Sequence, residues 1–156
     1  MAIRIEDRAA EQVAGVRVVG PYPQTIPLGL ERLMAWQQQQ GIVPGKWLVL
    51  YWDDPAEVAP ERLRADVVFT VASDFTLPTP GSEGFTLQTL PAGLYGIYHV
   101  RITDGDFERA WGDFYQKELP ASGYQPTEGV CYEHYLNDCE ADGYFDLDIY
   151  QSVKKI

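Results

Sequence analysis

The sequence is poor in the residues that build disulfide frameworks and metal sites. Among its 156 residues are only two cysteines, Cys131 and Cys139, and two histidines, His99 and His134. A disulfide between the cysteines is possible, but two cysteines in a chain of this length do not form a secreted framework. No cysteine or histidine has a partner at zinc-ligand spacing, so we expect no metal. Cys131 and His134 would point to opposite faces of a strand, which argues against a nucleophilic pair.

Glycine-rich phosphate loops and long apolar runs are missing as well. The segment 93–96 lacks both the glycine pattern of such a loop and the helix that should follow it, so we expect no cofactor. No apolar run approaches the ~20 residues that span a bilayer, and the first residues lack the apolar core of a signal peptide. We therefore expect a cytoplasmic protein with free thiols that does not bind a membrane.

Basic residues are scarce. The chain has 12 of them against 23 acidic residues, a net charge of -11 and a pI near 4.4. Such a charge repels nucleic-acid phosphates and favours cationic ligands or basic protein surfaces. The acidity is uneven, because residues 1–78 carry 7 basic and 10 acidic side chains whereas residues 79–156 carry 5 and 13.

Apolar and aromatic residues are abundant, at 46% and 13% of the chain, which indicates a packed core. The hydrophobic periodicity predicts a strand, a helix and two strands, followed after the Pro78–Ser82 break by a short strand and the same order again. The predicted strands cover residues 13–20, 47–52, 64–71, 85–90, 94–102, 130–138 and 144–153. We therefore expect one α+β domain over residues 1–156, made of repeat 1 (about 10–78) and repeat 2 (about 84–156). The repeats would form a mostly antiparallel sheet with two helices packed on it and a ligand cleft between them.

Each predicted helix has one apolar face and a glycine after its end, at Gly41 and Gly123. Asp104 or Asp106 is expected to cap the second helix. The residues expected to face the sheet are Ile26, Leu30, Leu33 and Met34 from the first helix, and Phe107, Ala110, Trp111, Phe114 and Tyr115 from the second.

Glu133 is the most unusual residue of the predicted strands. Alternation places it on one face with Cys131 and Tyr135, in mid-strand. Glutamate is rarely buried unless it is paired, so this face is either exposed to solvent or lines a cavity that favours a negative charge. The equivalent position in repeat 1 is Val49, so the charge would come from repeat 2 alone.

In the cavity interpretation, aromatic rings surround a carboxylate that neutralises a cation. Tyrosine and tryptophan faces add cation–π attraction of about 0.5–2 kcal/mol each. Asp146 and Asp148 on the last strand could add negative potential, although such a pair is more often the solvated side of a sheet. The residues expected to line the ligand site are Glu133, Tyr51, Trp47, Tyr135, Trp111 and Tyr150.

Several segments together resemble the GyrI-like small-molecule-binding superfamily, and within it the stand-alone bacterial DNA gyrase inhibitor proteins. The similarity runs from about residue 10 to the end of the chain. The segments that carry it are Val13–Pro21, Gly41–Pro44, Tyr51–Pro55, Phe75–Pro78, Asp106–Phe107 with Trp111, Glu133–Asn137 and Asp142–Tyr144.

The resemblance implies a duplicated strand–helix–strand–strand fold whose cleft binds small cationic or amphipathic molecules, with Glu133 at the position of the family's anionic residue. It implies modulation of DNA gyrase, or its protection from toxins, and a role as an effector-binding domain in stress response. Because the sequence has no helix-turn-helix, direct DNA binding is not expected.

Three functional hypotheses remain open from the sequence. The first, which we favour, is a non-enzymatic binding protein for a lipophilic cation. The second is a hydrolase of strained-ring genotoxins, in which Glu133 acts as general acid or base, because a carboxylic acid removed from water by aromatics has a raised pKa. Tyr135 or Tyr51 would assist it. The third is an electrostatic contact between the acidic chain and gyrase.

Overall fold

The computed structural model describes residues 3–156, which fall into two compact units. The first unit comprises residues 10–91, and the second comprises residues 3–9 together with 92–156. The strands are β1 (Ile3–Arg8), β2 (Glu11–Val19), β3 (Trp47–Tyr51), β4 (Arg64–Val71), β5 (Phe85–Leu90), β6 (Gly93–Ile102), β7 (Tyr124–Tyr135) and β8 (Phe145–Lys155). The α-helices are α1 (Tyr22–Gln40), α2 (Phe107–Asp113) and α3 (Cys139–Asp142).

The first unit is a four-stranded antiparallel sheet in the order β3-β4-β2-β5, with α1 packed on β2 and β4. Helix α1 ends at Gly41, whose backbone is left-handed with φ of 65°. Glycine adopts this conformation without a Cβ clash, so the predicted helix end is confirmed.

The buried face of α1 differs from the predicted one. Ile26 and Leu33 are buried as expected, but Met34 is exposed and Trp36 is buried in its place. Gly29 accounts for the difference, because a Cβ there would lie only 2.8 Å from Val18 and 2.9 Å from Val67. The helix therefore approaches the sheet most closely along its glycine, which turns Met34 towards water.

The second unit is also a four-stranded antiparallel sheet, in the order β1-β6-β8-β7. Helix α2 is capped by Asp106, whose side chain accepts a hydrogen bond from the backbone N–H of Arg109. It continues as a π-helical segment, Phe114–Glu118. The apolar face predicted for this helix is confirmed, since Ala110 and Phe114 are buried and Phe107, Trp111 and Tyr115 pack against the same core.

The strands pair in the same way within each of the two units, as two equivalent hydrogen bonds show. In the first unit, the Asp53 carboxylate accepts the backbone N–H of Arg64 at 3.0 Å. In the second, the Asn137 side-chain oxygen accepts the N–H of Asp146 at 2.8 Å. Strand β3 thus corresponds to β7, and β4 to β8. The predicted α+β fold of duplicated strand–helix–strand–strand repeats with antiparallel strands is confirmed.

This register assigns equivalent residues in the two units. Val49 lies opposite Val67, and Glu133 lies opposite Ile149, so Val49 occupies the position of Glu133. In the same register, Asp66 of the first unit occupies the position of Asp148 in the second.

Strand β1 and the short helix α3 were not predicted. Strand β1 pairs with β6 and adds an edge to the second unit. Both cysteines are free thiols. Within residues 3–156, no helix is both long and apolar enough to cross a membrane.

Candidate functional site

Glu133 is buried on strand β7, with 0% of its surface exposed. Its cross-strand partner is Ile149, and paired residues of an antiparallel ladder point to the same face. Ile149 belongs to the core cluster that also contains Phe114 of the π-helical segment. The carboxylate therefore lies on the face covered by α2, and the solvent-exposed alternative is wrong.

Two aromatic side chains donate hydrogen bonds to this carboxylate. Trp111 Nε1 donates to Glu133 Oε2 at 2.7 Å, and Tyr135 Oη donates to Oε1 at 3.0 Å. Both donors are neutral, and hydrogen bonds to a charged acceptor are about twice as strong as those between neutral groups. The structure thus brings together three of the six residues expected at the site: Glu133, Trp111 and Tyr135.

Tyr51 and Trp47 belong to the first unit and contact neighbours within it. The Tyr51 ring meets Tyr22 edge-on at 5.0 Å, and the Trp47 ring meets Phe69 edge-on at 5.2 Å. In the shared register they occupy the positions of Tyr135 and Cys131 in the second unit.

Tyr150 lies on the opposite face of the second sheet from Glu133. It pairs with Tyr132, one residue out of phase with the Glu133–Ile149 pair, and its ring stacks on Tyr132 at 4.5 Å. Burial raises the pKa of Tyr150. The structure therefore does not bring Tyr150 together with Glu133.

A contact that sequence reasoning missed lies beside Glu133. Tyr115 Oη donates to Gln151 Oε1 at 2.6 Å, and Gln151 is only 4% exposed. The signal was present, because Gln151 interrupts the apolar alternation of Leu147, Ile149 and Val153 on β8.

Each unit also has a buried aspartate that is paired with an arginine, on the sheet face opposite to that of Glu133 or its equivalent, Val49. Asp66 accepts hydrogen bonds from both Arg17 Nε and Nη2 at 2.8 and 3.1 Å, and from Trp52 Nε1 at 2.8 Å. Burial alone raises the pKa of Asp66, but the hydrogen bonds from Arg17, Gln88 and Trp52 outweigh it and hold the pKa below its usual value. In the second unit, Arg4 Nη2 donates to Asp148 at 3.1 Å, and His99 Nδ1 lies 3.0 Å from the same carboxylate. These aspartates have structural partners of their own.

Within residues 3–156, no cluster of three or more histidine, cysteine, aspartate or glutamate side chains is arranged to hold a metal ion. Surface depressions of about 550 and 270 Å³ lie in the first unit, the larger between residues 77 and 83. Neither is lined by Glu133, which agrees with the complete burial of its carboxylate.

Similar proteins share nearly the whole length of this chain. A DNA gyrase inhibitor of Serratia proteamaculans is 82% identical over 155 residues, with 99% of each chain covered. A DNA gyrase inhibitor of Yersinia enterocolitica is 54% identical over 156 residues, again with 99% of each chain covered.

Solved structures of much lower identity share the fold. The EcmrR C-terminal domain superposes with a TM-score of 0.76 at 14% identity, covering 99% of this chain and 98% of that one. A hydrolase encoded by lin2189 of Listeria innocua gives 0.70 at 10% identity, covering 97% and 91%. SAV2435 bound to tetraphenylphosphonium gives 0.61 at 10% identity, covering 99% and 94%.

The model of the GyrI-like small molecule binding domain family matches residues 1–154. The resemblance seen in the sequence is thereby confirmed, and the chain belongs to the GyrI-like small molecule binding domain family.

Proposed function

We propose that this chain binds a hydrophobic monocation and that Glu133 neutralises the charge of this ligand. The observation that supports this proposal is the fully buried carboxylate of Glu133, which accepts hydrogen bonds from two aromatic side chains, Trp111 and Tyr135. In a site shielded from water, a unit charge at 4 Å attracts a carboxylate by about 4 kcal/mol at an effective dielectric constant of 20, before desolvation. The tetraphenylphosphonium held by SAV2435, which has the same fold, supports this class of ligand.

Binding requires the cover over Glu133 to move, because its exposure is 0%. Trp111 lies on α2, which runs directly into the π-helical segment, where the N–H of Leu119 bonds to the carbonyl of Phe114 at 2.8 Å. Single-turn π-helices inside α-helices are rare and concentrate at functional sites. In our proposal, Trp111 leaves the carboxylate as the ligand enters, so the aromatic donor is exchanged for a cation.

Calorimetric titration with tetraphenylphosphonium tests this proposal. We expect Glu133→Gln to weaken binding by about 10- to 100-fold, which is 1.4–2.8 kcal/mol. Glu128→Gln is the matched control, because it removes the same charge from an exposed position on the same strand and should leave the affinity unchanged. Equal affinities for the wild type and Glu133→Gln would refute the assigned role.

Hydrolysis of a strained-ring electrophile is the second candidate. The 3.0 Å contact between Tyr135 Oη and Glu133 Oε1 favours it, because it places a weak acid beside a possible general base. Glu133 would take a proton from water as the water oxygen attacks the ring carbon. Tyr135 would then supply a proton to the atom that receives the ring electrons. Product formation that is lost in both Glu133→Gln and Tyr135→Phe supports this activity, whereas no product from the wild type with a panel of such compounds excludes it.

We infer an effect on DNA gyrase from the Serratia and Yersinia relatives, which are both named DNA gyrase inhibitor. The acidic composition of the chain supports an electrostatic contact, since residues 1–9 and 92–156 together carry 14 acidic side chains, of which Glu133 and Asp148 are buried, and 7 basic ones. A supercoiling assay at rising salt concentration is the test. We expect inhibition to weaken between 50 and 200 mM salt, because salt screens exposed charges over about 10 Å. Inhibition that does not respond to salt contradicts the electrostatic contact.

A further inference from the structure

A second polar contact joins the helical segment to the sheet beside Glu133. Tyr115 follows Trp111 by one helical turn, and their rings stack at 5.8 Å. Trp111 donates to Glu133 on β7, and Tyr115 donates to Gln151 on β8. The helix is therefore held by two donors on one face, each bonded to a different strand.

The Gln151 amide is held in one orientation by the backbone. Its Nε2 donates to the carbonyl of Ser152 at 2.8 Å and to that of Thr127 at 3.4 Å. With the amide N–H groups used in this way, Gln151 presents its Oε1 acceptor to the helical segment. If Trp111 and Tyr115 withdraw together, one carboxylate and one amide oxygen lose these donors at the same time.

The fold does not require polar residues at these two positions. In the first unit, the positions of Glu133 and Gln151 are occupied by Val49 and Phe69, both 0% exposed. Phe69 packs there against the ring of Trp36 at 5.9 Å. Burying a polar group is costly unless it is hydrogen-bonded, so Glu133 and Gln151 depend on the donors that reach them, whereas the apolar pair of the first unit needs none.

The spacing of the two acceptors defines a class of ligand. Gln151 lies diagonally across from Glu133, because Glu133 pairs with Ile149 and Cys131 pairs with Gln151. The Cα atoms of diagonal neighbours on adjacent strands are roughly 7–8 Å apart, and strand side chains stand roughly perpendicular to the sheet, so the side chains of Glu133 and Gln151 run side by side at about this spacing. We propose that the ligand is an amphipathic cation that carries an O–H or N–H donor about 7 Å from its charge, with Gln151 as the specificity-determining acceptor. This inference rests on the proposed binding function.

Two matched probes separate this role from a structural one. Tetraphenylphosphonium has no donor, whereas (4-hydroxyphenyl)triphenylphosphonium differs from it by one hydroxyl group. We expect the hydroxylated cation to bind the wild type up to about tenfold more tightly, since a net hydrogen bond contributes about 0.5–1.5 kcal/mol. Gln151→Met, which keeps the length of the side chain, should abolish that preference, so that the variant binds the two cations with affinities within about twofold of each other.

Tyr115→Phe is the complementary variant, because it keeps the ring on Trp111 and removes only the hydroxyl that occupies Gln151 Oε1. We expect it to strengthen binding of the hydroxylated cation. Equal affinity of the wild type for both cations, or an equal loss of both in Gln151→Met, overturns the specificity role and leaves the function of Glu133 standing. A wild-type chain that binds neither cation overturns the proposed binding function and this inference with it.

Discussion

The hydrogen bond from Trp111 to Glu133 is open to a direct energetic test. Trp111→Phe removes the Nε1 donor that lies 2.7 Å from Glu133 Oε2 and keeps an aromatic ring on the helix. A hydrogen bond to a charged group contributes about 1.5–3 kcal/mol. For a chain of this size, a loss of 1 kcal/mol lowers the melting temperature by about 2–4 °C. We therefore expect a fall of about 3–12 °C in melting temperature and a matching loss in the free energy of unfolding.

A double-mutant cycle separates this bond from the packing of the indole ring. Trp111→Phe, Glu133→Gln and the double variant are unfolded in urea, and the free energies of unfolding are compared. In both backgrounds the indole is replaced by a phenyl ring, and the amide oxygen of the Glu133→Gln variant can still accept the indole N–H. The coupling free energy therefore measures how much the charge of the carboxylate strengthens the hydrogen bond, and we expect about 1–2 kcal/mol.

The first unit provides a neutral control for this cycle. Trp36 Nε1 donates to Ser82 Oγ at 3.2 Å, so Trp36→Phe with Ser82→Ala removes a bond between uncharged groups. Its coupling should be about 1 kcal/mol or less. If the effects of Trp111→Phe and Glu133→Gln add to within about 0.5 kcal/mol, the carboxylate is not stabilised by the indole and the reasoning fails.

Two further predictions concern titrating groups. Because the pKa of Asp66 is held below its usual value in the folded chain, its contribution is present above the unfolded pKa of about 3.9 and is lost as the pH falls through the lower folded pKa. Urea unfolding should show that Asp66→Asn lowers the free energy of unfolding by about 2 kcal/mol at pH 7 and makes it depend less on pH below pH 5. An unchanged dependence of this free energy on pH would contradict the contacts with Arg17 and Trp52. Burial raises the pKa of the Cys139 thiol above its usual value of 9.0. In a Cys131→Ser variant, alkylation of Cys139 by iodoacetamide should therefore be slow at pH 8 and accelerate above pH 9. A fast reaction at pH 8 would contradict this environment of the thiol.

Much of the local structure could be predicted from the sequence, because it depends on neighbours along the chain. Seven strands and both long helices follow from alternation and helical periodicity, and Gly41 marks a helix end through its own backbone freedom. The repeat was visible as well, since Tyr51–Asp54 and Tyr135–Asp138 occupy equivalent positions in the two registers. Strand β1 was not predicted, because its charged residues leave little hydrophobic alternation in the sequence.

The candidate site depended on contacts between residues far apart in the sequence. Alternation assigns faces within one strand, but the faces that neighbouring strands share depend on their register. The sequence alone therefore suggested Tyr150 as a neighbour of Glu133, whereas the pairing of Glu133 with Ile149 turns Tyr150 to the other face. The close approach of Gly29 to β2 and β4 likewise turned α1 away from its predicted face.

The sequence by itself determined an acidic, duplicated α+β chain with a glutamate, Glu133, at a strand position where the other repeat has a valine, Val49. Only the tertiary structure decided that Glu133 is buried, that Trp111 and Tyr135 donate to its carboxylate, and that Tyr115 and Gln151 form a second polar contact. The physical reason is that burial and hydrogen bonding of a side chain are set by the helix that covers it. Trp111 precedes Glu133 by 22 positions in the chain, a separation that strand alternation and helical periodicity do not reach.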